Sequence, residues 1–151
     1  MEKALFGAGC FWGIEEYFRK INGVIKTEVG YSGGFTDNPT YETVCAGNTD
    51  HVEVISIEFN PKIITYNDLI NHFWQCHDPT TLNRQGPDIG RQYRSAIFYL
   101  SHHQKNISEK SKLKNQEKFN NKIVTEITRA DKFFKAEEYH QNFIQKQKNI
   151  V

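Results

Sequence analysis

The hydrophobic period changes near the start of the chain. Lys3 to Gly9 is a short apolar segment with two glycines, and it runs directly into Ile14, Tyr17, Phe18 and Ile21, spaced i, i+3, i+4, i+7. That change predicts a strand, a tight turn and a helix, with Cys10 at the junction. Asn22-Gly23 ends the helix, and Val24 to Tyr31 alternates as a half-buried strand until Gly33-Gly34 closes it. Residues 35 to 50 are polar and turn-rich, and a mostly alternating strand follows through Val52, Val54, Ile55, Ile57 and Phe59, stopped by Asn60-Pro61.

Tyr66, Leu69, Ile70, Phe73 and Trp74 mark a second amphipathic helix. After it His77 to Tyr93 is expected to be irregular, and a long loop in a compact domain is usually functional or disordered. The pattern then predicts a strand at Ser95 to Leu100, a polar helix over 102 to 119 and a strand at Ile123 to Ile127. A last helix is predicted from Ala136 to Gln147, with Tyr139 and Phe143 on one face. Strands alternating with helices imply an α/β fold, a two-layer sandwich of sheet with helices packed on it. The strand order is not derivable from this pattern.

At 151 residues the chain is expected to be one domain, 1–151, large enough to bury a core without disulfide staples. Lys plus Arg exceeds Asp plus Glu by one, 19 against 18, so no global field recommends nucleic acid or an anionic membrane as a partner. No apolar run reaches the length of a membrane span, and no export signal is evident. Cys10, Cys45 and Cys76 form no CxxC pair. The reading is a soluble, cytoplasmic chain in a reducing compartment, with thiols kept for reactivity or packing.

Cys10 opens a helix after Gly7 and Gly9, so unsatisfied backbone N–H groups and the positive end of the helix dipole would favour its thiolate. An unperturbed thiol is only about 3% ionised at pH 7, and lowering its pKa to about 7 would multiply the nucleophile roughly fifteenfold. The bland alternative is a small buried hydrophobe. Phe11 and Trp12 follow directly, and consecutive helical positions point in different directions, so both cannot simply enter the core. Rings beside a nucleophile would suit a polarizable ligand part such as an S-methyl group.

GCFWG at 9–13 resembles the active-site signature of the peptide methionine sulfoxide reductase A family. Further blocks similar to the family follow in its order: GYSGG (30–34), YETVCAGNTDHVEV (41–54), FWQCHDPTTLNRQGPDIGRQYRS (73–95) and AEEYHQNF (136–143). The resemblance spans nearly the whole chain. It implies a mixed sheet with a ferredoxin-like core and additional irregular segments, and reduction of the S epimer of methionine sulfoxide, free or in peptides. It makes Cys10 the nucleophile, Glu53 the acid, and Phe11 with Trp12 the methyl-binding wall. Tyr41, Asp88 and Tyr93 become a polar ring around the sulfoxide oxygen and substrate backbone. It implies no metal or organic cofactor and a monomeric enzyme served by an external thiol: thioredoxin, glutaredoxin or glutathione.

The chemistry fits these assignments. Attack on the sulfoxide sulfur must expel oxygen, and bare oxide cannot leave, so an acid must protonate it. A buried carboxyl with a raised pKa can do so without repelling the nucleophile. Taken alone, Glu53 between Val52 and Val54 would be the solvent face of a strand, Tyr41 and Tyr93 rim residues, and Asp88 after Pro87 a turn former. Competing readings are a Cys10 dyad with His51 or His140, zinc held by Cys45, His51, Cys76 and His77, and a non-catalytic sulfoxide reader. The dyad and the zinc site lack a recognised spacing.

Two departures from the family stand out. Many members carry resolving cysteines in a C-terminal extension, whereas the last cysteine here is Cys76. An external thiol is therefore expected to meet the Cys10 sulfenic acid, with Cys76 the better placed of two weak internal candidates and Cys45 a packed strand-end residue. Asp50 stands where the family usually has glycine, so an unusual backbone angle is expected, with a carboxylate that either raises the pKa of Glu53 or caps a turn. Met1 is the only methionine, leaving almost no thioether of the chain's own to oxidise.

Overall fold

The computed structural model describes residues 1–148. The strand β1 (Glu2–Ala8) leads into α1 (Phe11–Arg19), β2 (Val24–Ser32), α2 (Tyr41–Cys45), β3 (Val52–Phe59) and α3 (Tyr66–Gln75). A small hairpin, β4 (Arg84–Gln85) with β5 (Asp88–Ile89), precedes β6 (Ser95–Tyr99), α4 (His102–Gln116), β7 (Glu126–Arg129), β8 (Phe134–Lys135) and α5 (Phe143–Lys148). The main sheet runs β7-β6-β1-β3-β2-β8. Its centre, β6-β1-β3-β2, is antiparallel throughout, with crossovers through α1 and α3, which is the expected ferredoxin-like core. Parallel pairing of β7 with β6 makes the sheet mixed.

Side-chain alternation sorts the strands onto two faces. Ala4, Phe6 and Ala8 of β1 and Ile55, Ile57 and Phe59 of β3 meet Ile14 and Phe18 of α1 and Leu69, Ile70 and Phe73 of α3. Phe6 is central, its ring 5.8 Å from Phe18 and 5.1 Å from Phe73; truncating such a side chain to alanine costs about 3–5 kcal/mol. Leu5, Val52, Val54, Ala96 and Phe98 fill the opposite face. Glu53 alternates with these valines, so it shares its face with Ile55, under the helices. The solvent-face reading of this residue was drawn from its neighbours and has the wrong sign: here the valines face the other core.

Other expectations need correction. Residues 35–50 contain α2, opened by Thr40, whose hydroxyl accepts from the Thr43 N–H while Thr43 bonds back. The irregular stretch 77–93 contains the hairpin and a 3-10 turn over Arg91–Tyr93. The strand expected at 123–127 lies at Glu126–Arg129, because Ile123 is drawn into the core and the Val124 N–H donates to Pro79. The helix expected from 136 to 147 is replaced by a 3-10 turn at Glu138–His140, then α5. Asn142 there adopts φ 51, which breaks a helix, and the Gln141 side chain instead bonds the Val29 N–H and C=O, both at 2.9 Å, as a strand would. Among the described residues no helix is long and apolar enough to cross a membrane.

Candidate active site

The site forms where β1 ends and β3 begins. Gly9 has φ +97, the left-handed conformation that turns β1 into α1, and a Cβ there would come within 2.8 Å of the Gln85 Cγ. Glycine thus serves both the turn and the seating of the hairpin beside Cys10. Cys10 is the N-cap of α1 and is half-buried, with no side-chain capping bond. The Trp12 and Gly13 N–H groups do act on its sulfur and favour the thiolate. Burial outweighs them, and Glu53 and Asp88 add to it, so the thiol pKa is pushed up rather than down. The thiolate that the helix start favours is thus opposed at this site by burial and by two neighbouring carboxylates.

Glu53 supplies the cap that Cys10 does not. Its Oε1 accepts the Phe11 N–H at 3.2 Å, while its Oε2 is buried with no partner. At 1% exposure the carboxyl is pushed up to about 7, mainly by burial, eased by the Phe11 N–H and reinforced by the charge of Asp88. It can hold a proton at neutral pH and present one oxygen to a ligand.

Burial pushes the Tyr93 hydroxyl up to about 12, with Glu53, Cys45, Asp88 and Cys10 as its titratable neighbours. Tyr41 is raised likewise, by burial and then by Cys45, with Glu53 and Tyr93 also nearby. The fold thus draws Cys10, Glu53, Tyr41, Asp88 and Tyr93 into one electrostatic neighbourhood. Both tyrosines keep their protons and can donate. Phe11 and Trp12 part ways as expected: Phe11 is 1% exposed in a small core with Val29, Tyr31, Val44 and Ala136, and Trp12 is only partly buried at its edge.

Several supporting roles escaped the sequence reading. The Trp12 indole N–H donates to His140 Nδ1 at 2.9 Å, and its ring stacks on Phe143 at 4.0 Å. His140 is fully buried, its ring 5.2 Å from Phe11 and 4.6 Å from Tyr41. Burial lowers its pKa against the pull of Glu137, which keeps Nδ1 free to accept. Glu137 takes the Tyr31 hydroxyl and the Tyr41 N–H, each at 2.9 Å. Glu15, also buried, takes the Asn142 N–H at 2.6 Å and the Thr27 hydroxyl at 2.7 Å. The only signal for most of these was their place in the AEEYHQNF block.

The competing constellations do not assemble. His51 is committed through both nitrogens, Nδ1 accepting the Gly34 N–H at 3.0 Å and Nε2 donating to the Thr36 carbonyl at 2.7 Å. Nδ1 of His140 is taken by Trp12. Among the described residues no three His, Cys, Asp or Glu side chains gather as a metal site would need. Asp50 has the predicted unusual angle, φ 60. Its carboxylate is held low, by Arg91 first and also by Arg94, and it is absent from the groups that shift Glu53. Asp50 is thus engaged by the two arginines. Cys76 packs against the main core with its thiol pushed up to about 12 by burial, and Cys45 is exposed rather than packed.

Comparison with known proteins agrees with this geometry. Residues 2–151 match the family model described as peptide methionine sulfoxide reductase. The chain is 56% identical over 150 residues to a peptide methionine sulfoxide reductase MsrA of Methanococcus maripaludis strain C6, covering 99% of this chain and 96% of that one. The fold superposes on Mxr1 of Saccharomyces cerevisiae in reduced form with TM-score 0.93 and 41% identity, covering 97% of this chain and 86% of that one. It is also similar, at TM-score 0.68 and 28% identity over 94% of this chain and 84% of that one, to Mxr1 in complex with Trx2. The chain belongs to the peptide methionine sulfoxide reductase family and is an oxidoreductase that reduces methionine sulfoxide.

Proposed function

We propose that Cys10 and Glu53 carry out the reduction together, on the S epimer, with Glu53 acting as a proton relay. The observation that carries this reading is the buried, partnerless Oε2 of a carboxyl raised to about 7, on a residue that also caps the helix opened by Cys10. The protonated carboxyl gives its proton to the sulfoxide oxygen, with Tyr41 and Tyr93 donating to the same oxygen. The sulfoxide sulfur becomes more electrophilic and the Cys10 sulfur bonds to it. Glu53, now a carboxylate, takes up the thiol proton. The adduct breaks down with oxygen transferred to Cys10, so thiol and sulfoxide become sulfenic acid and thioether.

Trp12 offers its partly buried ring for the S-methyl group, Phe11 backs it from the core, and Asp88 faces the substrate backbone. Two external thiols then return the sulfenic acid to thiol, yielding a disulfide and water. The yeast relative seen with Trx2 favours a thioredoxin-type donor, with glutaredoxin or glutathione as alternatives. Cys76 is left out of recycling, because a thiol near 12 is a poor partner at neutral pH. The reading is completed by a single monomeric catalytic domain, 1–151, working in the cytoplasm without metal, organic cofactor, nucleic acid or membrane.

Reduced enzyme given one equivalent of each sulfoxide epimer, with no reductant, tests the scheme. The S epimer is expected to yield one methionine, and Cys10 gains the mass of one oxygen atom. Oxygen appearing on another cysteine, or turnover of the R epimer at a similar rate, refutes it. A Cys10 to Cys76 disulfide after that turnover would refute the external-thiol step.

A further inference from the structure

We propose that the ion pair between Asp50 and Arg91 is a clasp that holds the segment carrying Asp88 and Tyr93 over Cys10, making both partners positioning residues for sulfoxide reduction. The inference rests on the roles given to Asp88 and Tyr93 above. Asp50 lies three residues before Glu53, at the entry to β3, and Arg91 lies between Asp88 and Tyr93 in sequence. The clasp therefore joins the strand of the acid to the loop of the polar ring.

The bonding is more than one contact. The Arg91 guanidinium meets both Asp50 carboxylate oxygens, Nε to Oδ1 and Nη2 to Oδ2, the latter at 3.2 Å. Its Nη1 donates to the Asn83 Oδ1 at 3.4 Å, and the Asn83 carbonyl accepts the Gly90 N–H at 2.9 Å, closing the base of the hairpin. Beneath lies Arg94, 5% exposed, whose Nη1 donates to the Asp50 and Arg91 carbonyls, both at 3.0 Å. Glu126 balances Arg94 at 3.1 Å. A turn former at φ 60 would need none of this, since asparagine or glycine adopts that angle as readily.

The Arg91 and Asp50 side chains are 49% and 34% exposed, so salt screens the pair. A clasp that opens lowers the fraction of binding-competent sites, and that loss falls on KM rather than on the rate at saturation. Asp50→Asn keeps the backbone angle and removes the charge. At low salt, with excess dithiothreitol as reductant, Asp50→Asn and Arg91→Gln are each expected to raise KM about two- to fivefold. The double variant should lose no more than either single one, and the salt dependence of wild-type KM should vanish in all three.

Hydrogen exchange of amides 80–93 is measured on the same proteins and should quicken in each variant. Unchanged exchange overturns the clasp itself. Faster exchange with an unchanged KM overturns the proposal by another route, because Asp88 and Tyr93 would then not bind substrate.

Discussion

Cys10 and Cys76 stand at opposite ends of helices. Cys10 is the N-cap of α1, where the Trp12 and Gly13 N–H groups oppose the effect of burial on its sulfur. Cys76 is the C-cap of α3, where its S–H donates to the Phe73 carbonyl at 3.3 Å and only its own amide opposes burial, leaving the thiol near 12. Residue type and partial burial are shared, and both thiols are raised. What separates them is the polarity of the helix end and the presence of a proton donor. A helix N-terminus favours the thiolate, and the C-terminal carbonyls favour the thiol. A nucleophile here needs the first setting together with Glu53.

The largest expected effect tests that contrast directly. Cys10→Ser should lose on the order of 10⁴-fold or more in turnover, while Cys76→Ser stays within about twofold, as for a residue outside the chemistry. Comparable losses from both would end the helix-polarity argument.

Glu53→Gln should slow the first turnover by about 10²–10⁴-fold in rapid-quench measurements, the usual worth of a general acid. Above pH 7 the same change removes a negative charge beside Cys10, so alkylation of Cys10 by iodoacetamide should quicken while that of Cys76 does not move. Mass mapping of the labelled cysteines reads both at once. In wild type, kcat/KM should fall as pH rises through about 7, where Glu53 gives up its proton.

Stability should change less, and with opposite benefit. Glu53 has a folded pKa raised above its unfolded value, so its contribution is fully present below about pH 4 and is lost as pH rises through about 7. A raise of that size corresponds to about 3 kcal/mol at most. Glu53→Gln should therefore be more stable than wild type at pH 8 and show a flatter dependence on pH in urea melts. A variant less stable at pH 8 would mean that the carboxylate is better solvated than its burial indicates.

The smallest effect concerns the aromatic wall. His140→Phe removes the acceptor of the Trp12 indole N–H, which should raise KM roughly tenfold at an unsatisfied-donor cost of about 1–3 kcal/mol. His140→Asn, able to accept, should restore part of it. Equal KM values for the two variants would show that stacking on Phe143 alone fixes the ring.

Legibility in the sequence followed the range of the forces involved. The first strand, α1, β3 and α3 were readable because their apolar residues repeat locally. A five-residue helix has no period to read, and α2 exists because Thr40 caps it and Val44 enters the small core behind Phe11. The 3-10 turn at Glu138–His140 was unreadable for a similar reason: Gln141 bonds a strand 112 residues away. The individual site residues other than Cys10 and the aromatic pair came from resemblance. Local pattern placed Glu53 on the wrong face, since valines on both sides do not reveal that the opposite face carries a core of its own.

By itself the sequence determined the longer elements from the first strand to the second amphipathic helix, and a cysteine at the first strand-to-helix junction, because hydrophobic period and turn glycines act over a few residues. Only the tertiary structure decided the charges. Burial raises the Glu53 carboxyl to about 7 and pushes the Cys10 thiol up, and Asp50 pairs with Arg91. Desolvation and Coulomb energy depend on which distant segments close over a group, and no stretch of neighbouring residues contains that information.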